Sequence, residues 1–281
     1  MVAGFGGYVS LPVGAAALMR RIPLVLHEQN SVPGMANRAL SRRACAVGVT
    51  YAGSVRHLKP GTRAEVTGNP VREAILHADR ASGRVALGLP DDAVVVLVFG
   101  GSRGARHINE AFVALRDRLL GYEKVHIIHV AGREEAAAVR SALEALGGDG
   151  GGRYRVMDYI EDMGSAIAAA DVVVARAGAT SIAEITAIGR AAVLVPYPYA
   201  TDDHQTLNAR DVTEGKGALA VLDSDLDSAV FAEAVESLLT DVSLRESMAT
   251  ASRRLGVPDA AERLANLILG CVANVEDGDS E

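Results

Sequence analysis

The sequence is poor in aromatic residues and in cysteine. It contains no Trp among 281 residues, its aromatic content is 4%, and its two cysteines are Cys45 and Cys271. Two cysteines without metal-ligand spacing are too few for a disulfide framework and indicate no zinc site, so a reducing cytoplasm is favoured. Hydrophobic residues nevertheless reach 49%. A composition dominated by Ala, Val, Leu and Gly is typical of helices packed closely on parallel strands.

Long apolar runs are also missing. No uninterrupted run reaches the roughly 18 residues of a membrane-spanning helix, and residues 1–8 lack the basic and apolar segments of a secretory signal. Any membrane contact is therefore expected to be peripheral. The net charge is -7, but the first 90 residues carry 11 of the 28 basic residues and only 4 of the 35 acidic ones. This asymmetry favours a first domain that faces a phosphate ligand or an acidic membrane; the alternative is two solvated faces of opposite sign.

Short apolar runs alternate with longer stretches of helical periodicity, which predicts an α/β fold with parallel sheets. The run at 94–99 is continuously apolar, so both faces of that strand should be covered by helices. We expect residues 81–92 to form an interdomain linker, with a domain boundary within 69–92. The acidic residues 272–281 are expected to form a disordered tail. The predicted strands lie at 22–26, 94–99, 125–130, 171–175 and 192–195.

The N-terminal residues correspond to the middle of a strand–loop–helix pattern and not to its start. Gly4, Phe5, Gly6 and Gly7 are typical of the loop after a strand, and a helix is predicted from about Val9. Residues 1–3 alone are left to supply that strand. We therefore expect the first domain to be incomplete, without its first βαβ units.

The strand at 94–99 leads into a glycine-rich loop that contains Ser102, and a helix is predicted from Arg106 to Leu120. Unpaired N–H groups and the dipole at such a helix start can bind an anion. The loop matches neither the dinucleotide-binding nor the P-loop pattern, which argues against both classes. The alternative is a tight turn without a ligand. The loop reads Gly100-Gly101-Ser102-Arg103-Gly104-Ala105.

A second strand, loop and helix follow at 171–184. Thr180 or Ser181 is predicted to cap this helix. The carboxylate of Glu184, in the first turns, could accept hydrogen bonds from ribose hydroxyls, as acidic residues do in dinucleotide folds. It could equally serve only to complement the helix dipole.

Polar side chains also follow other predicted strands. His204 and Gln205 lie in a Pro-containing loop after residue 195 and could hydrogen-bond sugar hydroxyls, and Asn30 closes a polar cluster after the first strand. Arg72 could bind a diphosphate, although a surface arginine is the simpler interpretation. The Asp-x-Asp sequences at 223–225 and 277–279 fall at an expected helix N-cap and in the predicted tail. We therefore expect no metal and no other cofactor.

These motifs together resemble the MurG family, which transfers N-acetylglucosamine from UDP-N-acetylglucosamine to lipid I to form lipid II in bacterial peptidoglycan synthesis. The resemblance implies two Rossmann-like domains of the GT-B type: a remnant of the N-terminal domain at 1–80, a UDP-sugar domain at 81–257, and a last helix at 258–271 that packs back on the first domain. It follows the family's order over nearly the whole chain. The motifs are Gly6-Gly7-Tyr8-Val9-Ser10, His27-Glu28-Gln29-Asn30, Gly68-Asn69-Pro70-Val71-Arg72, the glycine loop from Gly100, Arg176-x-Gly178-Ala179 with Glu184, and Asp203-His204-Gln205-x-x-Asn208-Ala209.

The resemblance also implies roles for individual residues. Asn30, Gln205 and His204 would lie at the N-acetylglucosamine, and Arg72 and Ser102 at the diphosphate. Ile160 would meet uracil through its backbone, and Glu184 would bind the ribose. The residues that would line the nucleotide are Ala179, Thr180, Ser181, Ile182, Ala183 and Glu184. The implied reaction inverts the anomeric centre, needs no metal and takes place at the cytoplasmic face of the membrane, with an anionic lipid surface but no nucleic acid as partner.

One departure from the family concerns the general base. The family begins with a Gly-Gly-Thr-Gly-Gly-His loop that is thought to carry this base, and the sequence contains no such loop, so we assign no catalytic residue. His27 and Glu28 are weaker candidates for this role. Two other functions remain open: a UDP-sugar 2-epimerase of the same fold, and a non-catalytic donor-binding subunit of a split glycosyltransferase.

Overall fold

The structure is a computed structural model, and it describes residues 1–100 and 106–278, with side chains through Val272. Parallel strands alternate with helices along these residues, as the apolar runs predict. The strands are β1 (Val2–Gly4), β2 (Leu24–Glu28), β3 (Ala46–Val49), β4 (Ala64–Val66), β5 (Val94–Phe99), β6 (Val125–Val130), β7 (Tyr154–Met157), β8 (Val172–Arg176), β9 (Ala191–Val195) and β10 (Leu219–Ala220).

Most of the helices connect successive strands, and short 3-10 helices lie at Ser41–Arg43, Ala52–His57, Thr201–Asp203 and Asp223–Asp225. The α-helices are α1 (Ser10–Met19), α2 (Met35–Leu40), α3 (Glu73–Leu76), α4 (Arg80–Ala86), α5 (Arg106–Ala114), α6 (Arg116–Leu120), α7 (Ala136–Ala145), α8 (Met163–Ala169), α9 (Ala179–Ile188), α10 (His204–Glu214), α11 (Ala229–Thr240), α12 (Val242–Leu255) and α13 (Ala260–Gly278). In the described part of the chain, no helix combines the length and the apolar character needed to cross a membrane.

The chain divides into two compact units. The first comprises Met1–Val71 with Val257–Glu281, and the second comprises Arg72–Gly256. The interdomain linker expected at 81–92 is wrong, because residues 80–86 form α4 inside the second unit and this helix packs on α8. Gly83 permits that contact, since a Cβ there would lie 2.4 Å from the carbonyl oxygen of Ser165.

The first unit is built on a parallel sheet of order β1-β2-β3-β4. β2 is buried throughout its length because both faces are covered. Leu24 and Leu26 belong to a core cluster with Leu40 of α2, whereas Val25 packs with Leu264 and Leu267 of α13. Alternate residues of one strand thus bury themselves on opposite faces, which explains its unbroken apolar sequence.

The second unit is built on a parallel sheet of order β10-β9-β8-β5-β6-β7. β5 lies between β8 and β6, and its residues from Val95 to Phe99 are buried. The predicted burial of this strand on both faces is confirmed. The sequence order reverses beside β5, so the carboxyl ends of β5, β6 and β8 meet at one edge of the sheet. Ligands of open α/β sheets bind at such an edge.

Several element boundaries differ from prediction. β2 spans Leu24–Glu28 where 22–26 was expected, and β8 and β9 span Val172–Arg176 and Ala191–Val195 where 171–175 and 192–195 were expected. The helix expected from 106 to 120 is two helices, α5 and α6, separated at Leu115. The disordered tail expected at 272–281 is helical through Gly278, because α13 continues to that residue. An acidic composition alone does not end a helix, and no Gly or Pro intervenes between Cys271 and Gly278. Residues 279–281 lie outside the described residues.

Candidate functional site

A cavity of about 990 Å³ lies at the carboxyl edge of the second sheet. Its wall includes the ends of β5 and β6, the segment between β7 and α8, and the first turns of α9. The lining residues are Arg72, Phe99, Val130, Ala131, Gly132, Arg133, Glu134, Glu135, Asp158, Tyr159, Ile160, Glu161, Met163, Thr180, Ser181 and Glu184. Arg72, Ile160, Thr180, Ser181 and Glu184 are therefore brought together, and each of them was assigned to the donor from sequence.

Glu184 contributes a buried carboxylate to this cavity. It lies in the second turn of α9, which begins after β8 and ends at Gly189, whose φ is 73°. Its side chain is 9% exposed, and its Oε1 accepts a hydrogen bond from Nη2 of Arg72 at 3.3 Å. Burial raises the pKa of the Glu184 carboxyl above its usual value, and the positive charge of Arg72 opposes that shift.

The start of α9 is not capped as the sequence suggested. Gly178 occupies the N-cap position, and neither Thr180 nor Ser181 caps the helix. Gly178 has extended backbone angles, with φ -69° and ψ 141°, so the helix starts at Ala179, earlier than the hydroxyl residues indicated. Both hydroxyl side chains instead line the cavity. The first backbone N–H groups of the helix, together with the positive end of its dipole, suit this site to an anion.

The other residues assigned to the start of α9 differ in exposure. Ala179 and Ile182 are buried in the core, with exposed fractions of 7% and 3%, and Ala183 is half-buried. Because the side chains of Ala179 and Ile182 are buried, these two residues would meet a ligand through their backbone atoms.

Ile160 lines the cavity from the segment between β7 and α8 and is 8% exposed. It is preceded by Tyr159, over whose ring the guanidinium of Arg133 lies, at 5.1 Å from the ring centroid. Asp162 caps α8 by accepting a hydrogen bond from the backbone N–H of Ser165. Sequence reasoning missed Arg133 and Tyr159. The position of Arg133 shortly after β6, at the same sheet edge as Glu184, was the signal that could have found it.

His204 and Gln205 lie at the start of α10 and are not among the residues that line the cavity. Nδ1 of His204 is 2.7 Å from the carbonyl oxygen of Thr201, and Oε1 of Gln205 accepts a hydrogen bond from the backbone N–H of Tyr197 at 2.9 Å. The preceding turn places Asp202 and Asp203 at φ values of 52° and 51°. Such left-handed conformations are uncommon for residues other than Gly, Asn and Asp.

Asn30 lies in the first unit, next to a carboxylate with a structural role. Glu28 is 4% exposed and accepts hydrogen bonds from the backbone N–H groups of Asn30 and Gly34 and from the side chain of Asn37. These bonds hold the loop after β2 in place. Both oxygens of the Glu28 carboxylate are therefore engaged in holding this loop and are buried from a substrate.

His27 is likewise buried, with an exposed fraction of 1%. Its Nε2 must donate to the carbonyl oxygen of Gly68, 2.9 Å away, which leaves Nδ1 as the unprotonated nitrogen. Among the residues that the structure describes, the buried Nδ1 has no hydrogen-bond partner, and burial lowers the pKa of His27. The suggestion that His27 or Glu28 could act as the general base is therefore wrong for this arrangement, since neither reactive atom is accessible.

Ser102 and the glycine-rich loop around it lie outside the described residues. Within the described residues, no group of three or more His, Cys, Asp or Glu side chains is arranged to hold a metal ion. Asp223, in one of the two Asp-x-Asp sequences, is paired with Arg176 and His107. The helix N-cap expected near it is Ser228, which caps α11.

Comparison with known proteins identifies the family. The model of the glycosyltransferase family 28 C-terminal domain matches residues 95–264, and that of the family 28 N-terminal domain matches residues 1–49. The UDP-N-acetylglucosamine--N-acetylmuramyl-(pentapeptide) pyrophosphoryl-undecaprenol N-acetylglucosamine transferase of Halothermothrix orenii is 42% identical over 272 residues, which cover 95% of this chain and 73% of the relative. The crystal structure of MurG from Acinetobacter baumannii matches with a TM-score of 0.76 and 32% identity, over 96% of this chain and 74% of that one. The chain belongs to the MurG family.

The predicted GT-B fold and the predicted class, a glycosyltransferase, are confirmed by this membership. A UDP-GlcNAc 2-epimerase from Neisseria meningitidis also matches, with a TM-score of 0.66 and 14% identity, over 96% of this chain and 75% of that one. At that identity the likeness shows the fold alone. The MurG fold is thus shared with enzymes of different chemistry, and function has to be argued from the site.

Proposed function

We propose that this MurG-family protein transfers N-acetylglucosamine from UDP-N-acetylglucosamine to the C4 hydroxyl of the muramyl residue of lipid I, which gives lipid II for peptidoglycan synthesis. The hydroxyl oxygen bonds to the anomeric carbon from the face opposite the diphosphate. The bond to the diphosphate breaks, UDP leaves and the hydroxyl proton is released. The product therefore carries an inverted, β-1,4 linkage. The observation that carries the proposal is the cavity that joins Glu184, Arg72 and Ile160 in a chain of this family.

The chemistry of the cavity fits a uridine diphosphate. A carboxylate such as that of Glu184 can accept hydrogen bonds from both hydroxyls of a ribose. Backbone groups near Ile160 suit the edge of a pyrimidine, and the first turn of α9 offers N–H groups and two hydroxyls to the diphosphate. The positive end of the α9 dipole and the side chain of Arg72, which is 66% exposed, provide the positive charge that a departing diphosphate requires.

A metal-independent mechanism is supported by these same groups. Helix N-termini and guanidinium groups can stabilise the charge that develops on the leaving diphosphate. Asp223 is engaged by Arg176, at 2.5 Å, and by His107, at 2.8 Å. Because the Asp223 carboxylate is engaged in these two ion pairs, it is not available to bind a cation.

The first unit is proposed to face the membrane and the lipid-linked acceptor, with the protein bound peripherally at the cytoplasmic face. Its α1 and the loop before it expose large apolar side chains, including Tyr8 at 82%, Val9 at 81% and Met19 at 86%. Arginines are exposed at the ends of α1 and α2. Apolar side chains surrounded by basic ones suit an anionic lipid surface.

A transfer assay with the 281-residue chain tests this function. Labelled UDP-N-acetylglucosamine and a lipid I analogue in detergent should yield labelled lipid II and free UDP, with and without a chelator. The anomeric proton of the product, observed by NMR, should report a β linkage. Loss of activity on chelation would contradict the metal-independent step.

The alternatives give different outcomes in the same assay. A 2-epimerase would convert the donor to its C2 epimer without acceptor. A non-catalytic donor-binding subunit would bind the donor, as calorimetry would detect, but would transfer no sugar. Either result would overturn the proposed transferase activity.

A further inference from the structure

A cluster of charged side chains lies outside the cavity, in the second unit. His107 occupies the first turn of α5, and its two ring nitrogens face two carboxylates. Nδ1 is 2.8 Å from Oδ2 of Asp223, and Nε2 is 3.1 Å from Oδ2 of Asp227. The His107 side chain is one third exposed, at 33%, whereas that of Asp223 is 16% exposed. The cluster therefore connects the start of α5 to the segment that precedes α11.

The partners of His107 determine its protonation state. Ionised carboxylates only accept hydrogen bonds, so both ring nitrogens must donate, and an imidazole with two N–H groups is the charged imidazolium. The hydrogen bond to Asp223, assisted by that to Asp227, raises the pKa of His107 above its usual value. The other carboxylates near this end of α5, Glu110 and Glu135, contact Arg106 instead.

Asp223 also pairs with Arg176, which is the last residue of β8. Nη1 of Arg176 is 2.5 Å from Oδ1 of Asp223, and the same nitrogen donates to the carbonyl oxygen of Pro196 at 3.1 Å. The Arg176 guanidinium also lies over the ring of Tyr197, at 5.5 Å from its centroid. Arg176 is 8% exposed. A buried guanidinium fixed by a carboxylate thus holds the beginning of the loop that follows β9.

That loop in turn orients Gln205. Its Oε1 accepts from the N–H of Tyr197, so its Nε2 is the atom left to donate to a ligand. A shift of the backbone at Pro196 and Tyr197 would displace the N–H group that donates to Oε1 of Gln205, and the side-chain amide of Gln205 would rotate with it. The chain of contacts from His107 to Gln205 runs through Asp223, Arg176 and Tyr197.

We propose that His107 is a positioning residue for the donor sugar: through Asp223 and Arg176 it holds the loop that aims the amide of Gln205 at N-acetylglucosamine. This inference rests on the proposed function and on the role that the resemblance to the MurG family implies for Gln205, at the N-acetylglucosamine of the donor. His107 itself contacts neither the sugar nor the reacting atoms. Its protonated form keeps both carboxylates in place, and loss of the proton removes one of the two donors.

The test is calorimetric titration of the whole chain with UDP-N-acetylglucosamine and, separately, with uridine, from about pH 6 to about pH 8. The diphosphate of the sugar nucleotide bears substituents at both ends and has no ionisation in this range. We expect the dissociation constant of the sugar nucleotide to rise by roughly 2- to 12-fold as His107 loses its proton, the size of effect expected when one ordinary hydrogen bond to the ligand is lost. Uridine binding should change little, because uridine lacks the N-acetylglucosamine that Gln205 would contact.

Substitution assigns this pH dependence to His107. His107→Gln should bind the sugar nucleotide weakly at all pH values, with a flat profile and wild-type affinity for uridine. His77→Gln removes an imidazole that also lies beside a carboxylate, 3.5 Å from Glu73, and should retain the wild-type profile. Thermal unfolding checks that each variant is folded.

The outcomes separate the inference from the proposed function. A wild-type profile that is already flat, or a pH dependence that persists in His107→Gln, would overturn the positioning role while donor binding stands. The wild-type series needs no substitution, so misfolding of a variant does not remove the test. Equal loss of uridine and sugar-nucleotide affinity in His107→Gln would also overturn it, since that indicates general loosening of the unit. A wild-type chain that bound neither compound would overturn the proposed function itself, and the positioning role with it.

Discussion

Glu184 and Arg72 illustrate how burial and a neighbouring charge act in opposite directions on one carboxylate. Burial favours the neutral acid, and the guanidinium 3.3 Å away favours the anion. Because Arg72 is mostly exposed, its contact with Glu184 is a weak surface-type pair that a ligand can replace at little cost. Ribose hydroxyls could then take its place, which would free the guanidinium for the diphosphate.

Glu184→Ala is expected to weaken UDP binding by about 1–3 kcal/mol, the cost of leaving buried polar groups without partners. Calorimetric titration with UDP measures the effect, and circular dichroism checks the fold. Glu161→Ala, which removes an exposed carboxylate from the lining of the same cavity, should change the affinity by much less. Unchanged UDP affinity in folded Glu184→Ala would remove this residue from the ribose.

Arg72→Gln is expected to affect two ligands differently. UDP should bind more weakly by about 1.5–3 kcal/mol, since a charged hydrogen bond to the diphosphate is lost. Uridine carries no phosphate, and without Arg72 its ribose no longer competes for Glu184, so its affinity should stay constant or increase. Parallel titrations with both ligands at alkaline pH, where Glu184 stays ionised, decide the matter. An equal loss for both would indicate that Arg72 only supports the cavity wall.

His129 is a buried imidazole that the reaction does not use. Its two nitrogens lie 2.9 Å from the Tyr154 hydroxyl and 2.9 Å from Oδ1 of Asn109, and burial lowers its pKa to about 3. A lowered histidine pKa means that the unfolded chain binds the proton first. The stability that His129 contributes is therefore complete above about pH 6.5 and is lost as the pH falls towards 3.

The free energy of unfolding should accordingly decrease by up to about 1.4 kcal/mol per pH unit below pH 6.5 through His129 alone. His129→Gln should be less stable at neutral pH but should lose less on acidification, because Gln does not titrate. Denaturant titrations of both proteins at several pH values measure the difference. Parallel pH curves for the two proteins would show that His129 does not titrate in this way.

Elements were predicted better than their ends. Short runs rich in Val, Ile and Leu located β5 and β6 at the observed residues. The run of β5 is continuously apolar because a strand covered on both faces favours apolar residues throughout its length. The start of α9 was misplaced, since hydroxyl residues after Gly178 looked like caps but serve the cavity instead. Thr180 and Ser181 show that a residue with two suitable roles cannot be assigned from local preference alone.

Contacts between distant segments were beyond local reasoning. The interpretation of residues 81–92 as a linker relied on their Gly, Pro and Asp content and missed α4. Nothing in those residues shows that Arg84 and Arg80 pair with Asp171, about 90 positions later. The candidate site was found to the extent that its residues follow strands that meet at one sheet edge. The cluster around His107, by contrast, depends on pairings that no spacing in the sequence encodes.

Two helical glycines should respond in opposite ways to alanine. A Cβ at Gly83 of α4 would lie 2.4 Å from the carbonyl oxygen of Ser165, whereas one at Gly270 of α13 would meet nothing within 4 Å. Gly83→Ala is therefore expected to destabilise the second unit by about 1–3 kcal/mol through overpacking. Gly270→Ala should stabilise its helix by roughly 0.5–1 kcal/mol, the difference in helix propensity.

Thermal and denaturant unfolding of the two variants beside the wild type measure these changes. The pair is its own control, since the same atoms are added to a helix in both cases. Stabilisation of both variants would mean that helix propensity outweighs overpacking at Gly83. The distance between α4 and α8 would then have to be larger than in this structure.

Charge is distributed unevenly along the chain. Residues 1–71 carry eight Lys and Arg against two Asp and Glu, although the chain as a whole has a net charge of -7. An average charge would therefore predict repulsion from an anionic lipid surface, whereas residues 1–71 predict attraction. The C-terminal part of the first unit, residues 257–281, carries one basic and six acidic residues, so the attraction depends on the local charge of residues 1–71. The field near a surface is set by the charges within about 8–10 Å at physiological ionic strength, so the local charge should decide.

Binding to anionic vesicles is thus expected despite the negative net charge, and it should weaken as salt is raised. Each basic residue near such a surface contributes about 1 kcal/mol. A combined Arg20→Gln, Arg21→Gln and Arg38→Gln variant should consequently bind at least tenfold more weakly in co-sedimentation. Arg210→Gln with Arg254→Gln, exposed positions of the second unit, should match the wild type. Because α1 also exposes Met19, a salt-resistant fraction of binding is compatible with apolar insertion. Binding that did not respond at all to salt or to the first-unit arginines would exclude an electrostatic contribution to membrane attachment.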